Sequence, residues 1–311
     1  MSHSNHQSVL LENFLSFYEG RELKTFVDCT LGAGGHAKAI LQAHPEIQLL
    51  IGIDQDPLAL KIAEENLKSF NKRIALHRGN FHNASQFIAQ RGITNVDGIF
   101  FDIGVSSMQL DLPEKGFSFS FDGPLDMRMD PSNHLSAEKV INSFSESDLG
   151  KIFKAYGEER HWRALAKIIC IKRKQKRICS TKELAQLISS ALGRQNKQKI
   201  HPATRVFQAL RIYVNKELEV LQSALPQAID LLSPKGRLGI ICFHSLEDRI
   251  VKNIFREASS TKNHLPGAPD SLVKKDPSIR ILTKKPLQAT TKELAFNVRS
   301  RSAKMRFIEK I

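Results

Sequence analysis

The chain is 311 residues long, 41% hydrophobic and 25% charged, with a formal net charge of +14. That length buries a full core in one or two domains, and the balance is that of a globular protein, which excludes fibrous and disordered classes. No apolar run approaches the ~20 residues a bilayer span needs. Residues 1–15 lack the basic start and apolar core of a secretory signal, so a cytoplasmic location with no membrane partner is expected.

The four cysteines, Cys29, Cys170, Cys179 and Cys242, show no C-x-x-C spacing. Three sit in apolar contexts and read as small buried residues of a reducing compartment. No His/Cys cluster has zinc spacing, so no metal site is expected. Charge is unevenly placed: residues 1–132 carry 11 Lys+Arg against 16 Asp+Glu, and residues 202–248 balance at 5 and 5. Residues 133–201 carry 15 against 6, and residues 249–311 carry 15 against 5. Two basic blocks outside an acidic N-terminal part predict a polyanionic partner.

In chain order, residues 24–29 read as a first strand and 36–44 as its helix. A second strand follows at 48–54, and a helix at 57–70 has Pro57 in its first turn. Residues 74–77 and 96–102 read as strands three and four, giving a βαβαβαβ rhythm and hence a parallel sheet covered on both faces. The rhythm then breaks. Residues 104–132, rich in Gly, Ser, Pro, Asp and Met, read as an ordered loop, and only helical patterns follow to about residue 192. Ser136, Ser145 and Ser180 stand as N-caps, Ser180 with Glu183 in a capping box. A long helical pattern starts after Pro202, with Pro226 expected to kink or split it. Pro234-Lys235-Gly236 reads as a turn, 237–243 as strand five, 246–257 as a helix with Ser245 as its cap, 258–277 as a loose loop, and 279–283 and 304–309 as last strands. The expected fold class is α/β: a Rossmann-like sheet of residues 1–104 and 214–311, with an α-helical domain, 105–213, inserted between strands four and five.

The most informative stretch is Gly32-Ala33-Gly34-Gly35-His36 after strand one, followed by Asp54 at the end of strand two. Glycines let backbone approach a ligand, and an acid at that offset accepts hydrogen bonds from ribose hydroxyls. The turn alone also fits a dinucleotide fingerprint. Three features favour S-adenosyl-L-methionine instead. Asp28 stands where a carboxylate would accept from an amino group. No hydride-transfer constellation is present. The sheet ends in a strand pair rather than a second βαβαβ half. Asp54 would take the ribose, the Gly34-Gly35-His36 backbone the methionine end, and Phe81 a flat slot for adenine. Asp102, ending strand four, sits where a parallel sheet places its chemistry.

Four longer segments add to this: Phe101–Asp111; Gly116-Phe117-Ser118-Phe119 with Asp122–Asp130; Tyr156-Gly157-Glu158-Glu159-Arg160 with His201–Arg211; and Phe243-His244-Ser245-Leu246-Glu247-Asp248-Arg249. In this order they closely resemble the RsmH (MraW) family of bacterial 16S ribosomal RNA methyltransferases, over nearly the whole chain. The resemblance implies a class I methyltransferase core with an inserted helical substrate-recognition domain. It implies S-adenosyl-L-methionine-dependent methylation of the exocyclic N4 of one cytidine, nucleotide 1402, in 16S rRNA of the small ribosomal subunit, with a homodimer left open. Carried over by motif position, the cofactor contacts are Gly34, Gly35, His36, Asp54, Phe81, Asp102 and Gln109. Ala33 stands where the family often has Arg, and Met108 where it often has Pro.

Cytosine N4 is a poor nucleophile because its lone pair conjugates with the ring, so alignment with the methyl and an acceptor for the amine proton are required. The related amino-methyltransferases use a proline pair after strand four. Here that position reads Asp102-Ile103-Gly104-Val105. The acceptor is therefore a backbone carbonyl near Asp102–Gly104 or a side chain, with Asp102 and His244 as catalytic candidates. Lys172–Arg177, with Arg194, Lys197 and Lys199, and a second cluster of Arg299, Arg301, Lys304 and Arg306 are candidate phosphate contacts. Phe117, Phe119 and Met127 are candidates for holding an unstacked base. Two other readings share some of these features: a non-catalytic RNA-binding assembly factor and a nicotinamide oxidoreductase.

Overall fold

Adjacent residues on each central strand face opposite sides of the sheet, and both sides are apolar. Val27, Ile51, Phe101 and Ile240 belong to one buried cluster, while Phe26, Leu50, Phe100 and Ile241 belong to another. A strand buried on both faces reads as a continuous apolar run, which is why these segments are legible without alternation. The computed structural model describes residues 8–193, 201–261 and 276–311. The chain forms two compact units, Met1–Gly104 with Leu218–Ile311, and Val105–Glu217.

The sheet unit begins with α1 (Leu11–Tyr18), β1 (Thr25–Asp28), α2 (Gly35–Ala43), β2 (Leu49–Asp54), α3 (Pro57–Asn66), β3 (Ile74–Arg78), α4 (Ala84–Ala89) and β4 (Val96–Asp102). The helical unit holds α5 (Ser107–Asp111), α6 (Ala137–Ser143), α7 (Glu146–Gly157), α8 (Trp162–Gln175), α9 (Thr181–Leu192) and α10 (Thr204–Asn215). After it come α11 (Glu217–Asp230), β5 (Leu232–Cys242), α12 (Ser245–Ala258), β6 (Ile279–Ile281), α13 (Thr291–Phe296) and β7 (Lys304–Lys310).

The sheet order is β3-β2-β1-β4-β5-β7-β6. The first five strands are parallel, while β7 runs antiparallel to both β5 and β6. Chain order reverses direction between β1 and β4, and a ligand crevice opens at the carboxyl ends of strands at such a switch point. One face carries Phe14 and Tyr18 of α1, Ile40 and Leu41 of α2 and Ala63 of α3. The other carries Ile88 of α4, Leu221 and Leu225 of α11, and Val251 and Phe255 of α12. The helical unit has its own core, built around Leu149, Phe153, Leu165, Ile169, Leu184, Val206 and Leu210.

Several expectations need correction. The long pattern after Pro202 splits at Lys216, which adopts a left-handed φ of 51°, and not at Pro226, which lies inside α11. Asn215 fixes that break: its amide donates to the carbonyls of Met127 and Arg211 at 2.8 Å and accepts from Met129 N–H at 2.8 Å. The helix from Pro57 ends at Asn66 and tightens into a 3₁₀ turn, Lys68–Arg73. The turn at 234–236 lies within β5, whose register against β4 shifts between Val96 and Gly98. His244, not Ser245, is the N-cap of α12. Cys29 and Cys242 are buried, but Cys170 is half-buried and Cys179 exposed. Helices α1, α4 and α13 were not anticipated, nor was α5, which lies in the 104–132 stretch read as a loop; each is eight residues or shorter, where local pattern carries little signal.

Candidate active site

The carboxyl ends of β1, β2 and β4 gather three acids. Asp28 ends β1 and is 1% exposed, with Oδ1 accepting from Thr30 N–H at 3.1 Å. Asp54 ends β2, and its two carboxylate oxygens accept from Gly32 N–H at 2.8 Å and Asp56 N–H at 2.9 Å. The carboxylate therefore anchors the glycine turn directly. Each of its oxygens has a second lone pair for a ligand hydroxyl. Asp102 ends β4, where its N–H donates to Thr30 Oγ1 at 2.5 Å.

Burial raises the pKa of all three acids, and neighbouring carboxylates add to it. Burial, with help from the Asp54 charge, pushes the Asp28 carboxyl up to about 7, despite the opposing Thr30 N–H bond. Burial, then the charges of Asp28 and Glu247, pushes Asp102 up to about 8. Asp54 is also raised by burial, with its backbone hydrogen bonds opposing. Asp102 Oδ2 lies 3.7 Å from His36 Nδ1, while Oδ1 is buried and makes no hydrogen bond. A buried carboxylate oxygen without a donor is costly, so a proton or a cationic ligand is the partner this oxygen lacks.

The glycine turn does what its sequence suggests. Gly34 caps α2 in a left-handed conformation, φ 82°, which favours glycine. At Gly35 a Cβ would collide with Ser8 Oγ. The first turn of α2 presents N–H groups with no carbonyl partner inside the helix, suited to a carboxylate. His36 is 7% exposed; Nε2 is 2.9 Å from the Val9 carbonyl, and the ring packs against Phe14 and Phe100. Its side chain thus ties the N-terminal segment to the turn. Phe81, in a 3₁₀ turn after β3, meets Phe101 edge-on at 5.5 Å and is partly buried.

His244 and Glu247 form a reciprocal cap at the start of α12. Glu247 N–H donates to His244 Nδ1 at 3.3 Å, and Glu247 Oε2 accepts from the N–H groups of Phe243 and His244 at 2.8 and 3.1 Å. His244 Nε2 lies 2.9 Å from Glu247 Oε1 without hydrogen-bond alignment. Sequence reasoning missed Glu247, 2% exposed; the His-x-x-Glu spacing was the available signal, hidden because histidine is an unusual cap. Gln109 belongs to the helical unit, where it is buried and completes a capping box with Ser106 on α5. Phe117 and Met127 are buried in that unit's core, and Phe119 packs against it while stacking on His201 at 4.5 Å. The three therefore serve packing within the helical unit rather than forming an open slot.

Basic charge on the helical unit falls differently from expectation. Arg173 donates to the Ile141 and Phe144 carbonyls at the end of α6, Arg177 pairs with Glu138 at 2.7 Å, and Lys176 with Glu183 at 3.5 Å. Residues 160–182 nevertheless contain nine Lys and Arg and no acid. Arg163, Lys167 and Lys174, at helical spacing on α8, are exposed and carry no ion pair among the described residues. Lys154 and Arg163 flank the Trp162 ring, at 5.6 and 4.3 Å from its centroid. Arg194, Lys197 and Lys199 lie outside the described residues. In the other cluster, Arg306 and Lys304 face Asp248 at 2.7 and 3.7 Å, leaving Arg299 and Arg301 exposed.

A parallel sheet with one antiparallel strand between β5 and β6, and acids at the ends of β1, β2 and β4 beside a glycine turn, is the Rossmann-like architecture of class I methyltransferases. Residues 3–311 match the MraW methylase family, and the chain belongs to it. Two relatives carry the name Ribosomal RNA small subunit methyltransferase H. The one from Protochlamydia amoebophila is 50% identical over 98% of this chain and 97% of its own length. The one from Syntrophotalea carbinolica is 45% identical over 98% of each.

Proposed function

We propose that this chain methylates the exocyclic N4 of a cytidine, nucleotide 1402, in the 16S rRNA of the small ribosomal subunit. S-adenosyl-L-methionine is the donor and supplies the methyl as a carbon bonded to a sulfonium sulfur. The observation that carries the reading is the buried, unpartnered Asp102 Oδ1 beside Asp28, at the switch point of the sheet. Two acids whose burial holds their protons suit a ligand that brings an ammonium and a sulfonium charge. Asp54 takes the ribose hydroxyls, Phe81 borders the adenine, and the Gly34-Gly35-His36 turn receives the methionine carboxylate through backbone N–H groups. Gln109 completes the cofactor contacts.

For transfer, the N4 lone pair forms the new carbon–nitrogen bond as the carbon–sulfur bond breaks, and one amine proton leaves. Alignment supplies most of the rate. Asp102, ionised once the cationic ligand lies beside it, or a carbonyl between Asp102 and Gly104, accepts that proton, and His244 borders the base. The exposed cations Arg163, Lys167 and Lys174 of α8 neutralise RNA phosphates, and the 45–50% identical relatives with a ribosomal RNA name support an RNA substrate. The test is incubation with methyl-labelled S-adenosyl-L-methionine and small subunits lacking the modification. Label in 16S rRNA is expected. Cofactor binding without any transfer would favour the assembly factor, and no cofactor binding would end the methyltransferase reading.

A further inference from the structure

Two exposed apolar side chains and exposed cations of the sheet unit share one segment, 290–303. Chain 290–303 enters β7 at Lys304, which pairs with Cys242, the last residue of β5, so it lies at the site end of the sheet. It is firmly anchored. Glu293 Oε1 accepts from Leu10 N–H at 2.8 Å and from Ser300 Oγ at 2.5 Å, and Ser300 is fully buried. Leu10 adjoins Val9, whose carbonyl meets His36 Nε2, and His36 faces Asp102. A continuous chain of contacts thus joins this segment to the candidate site.

On that anchored segment, Phe296 and Val298 are 56% and 69% exposed. A single exposed apolar side chain needs no explanation, but here two lie within three residues. Exposed Lys292 stands four residues before Phe296 on α13, and exposed Arg301 three residues after Val298 on a 3₁₀ turn, spacings that put a cation on the face of each apolar side chain. Lys292 and Arg301 make no ion pair among the described residues. An aromatic face bordered by unpaired cations is the recognition chemistry of single-stranded nucleic acid, where bases stack and phosphates are neutralised. A folded protein partner would instead favour a larger, charge-depleted apolar patch.

We propose that Phe296 and Val298 form a stacking ledge for the single-stranded RNA flanking the target nucleotide, with Lys292 and Arg301 holding its phosphates. The ledge rests on the RNA methyltransferase reading above and assigns it a specificity-determining surface. The target must leave its stack to meet the methyl, and a ledge beside the site gives neighbouring bases a replacement surface.

The test compares wild type, Phe296→Leu, Phe296→Trp and Phe296→Ala with Val298→Ala, as full-length chains. Readouts are KM for undermodified small subunits, kcat, S-adenosyl-L-methionine affinity and oligomeric state. Phe296→Leu keeps apolar area but loses the π face. The ledge predicts KM raised about tenfold in Phe296→Leu and further in the double variant, near-normal KM in Phe296→Trp, and cofactor affinity within about twofold throughout. Phe296→Leu behaving as wild type overturns the ledge while the functional reading stands. Wild type that transfers no methyl to RNA overturns both. A dimer that dissociates in the double variant, with KM unchanged, makes this face a contact between copies and also overturns the proposal.

Discussion

The two units use charge in opposite ways. The sheet unit gathers acids: Asp28, Asp54, Asp102 and Glu247 converge where β1, β2 and β4 end and α12 begins, and burial, with help from neighbouring charges, raises the pKa of the three aspartates. The helical unit exposes cations. Its helix α8 carries Arg163 in the first turn, where a positive charge opposes the helix dipole, and Lys167 four residues on, where like charges repel. Neither arrangement favours stability by itself. Buried acids await a small cationic ligand, and an acid-free basic helix face awaits a polyanion. Variants of the sheet-unit aspartates and variants of the α8 cations should therefore separate cofactor binding from phosphate binding.

The largest break is expected at Asp102. Asp102→Asn keeps the shape but removes the charge and the proton acceptor, and should lower turnover about 10²–10⁴-fold, measured by label transfer at saturating cofactor. A smaller loss would move the proton to a backbone carbonyl. Next, Asp54→Ala should weaken S-adenosyl-L-methionine about 10–100-fold, since a charged acceptor of ribose hydrogen bonds is lost, while RNA affinity by filter binding stays unchanged. The converse variant, Arg163→Gln with Lys167→Gln and Lys174→Gln, should leave cofactor affinity intact. It should weaken RNA binding about tenfold and flatten the log–log salt slope by about 3. An unchanged slope would remove α8 from the RNA interface.

The smallest effect is on stability. Asp28 and Asp102 keep protons in the fold up to about 7 and about 8, whereas the unfolded chain releases them near 4. The fold binds more protons than the unfolded chain across that window, so stability falls as pH rises from about 4 to about 8. The melting temperature of the cofactor-free chain should drop by a few degrees between pH 6 and 8.5. Asp102→Asn should shrink that drop. A melting temperature that rises over the same interval would contradict the burial of these acids.

The parallel strands and the glycine turn were legible because fully buried strands read as short apolar runs, and a turn that caps a helix in a left-handed conformation favours glycine. Asp54 and Asp102 were legible by position, as acids closing such runs. The role of the His36 side chain was not, because its partner is the Val9 carbonyl, 27 residues away, and a backbone acceptor leaves no mark in sequence. The cluster at 172–177 looked like one patch, yet three of its five cations are committed to α6, Glu138 and Glu183, contacts that exist only after the helices pack. The break at Lys216 was hidden similarly: Asn215 caps the helix through bonds to Met127 and Met129, far away in sequence.

The central claim, methyl transfer to N4 of one cytidine, is tested most directly by locating the methyl. Small subunits lacking the modification are incubated with the protein and methyl-labelled S-adenosyl-L-methionine, and the 16S rRNA is digested and sequenced by mass spectrometry. The account predicts labelled N4-methylcytidine at nucleotide 1402 and no other labelled nucleoside. Label on a ring carbon, on a ribose oxygen or on a different nucleotide would contradict it.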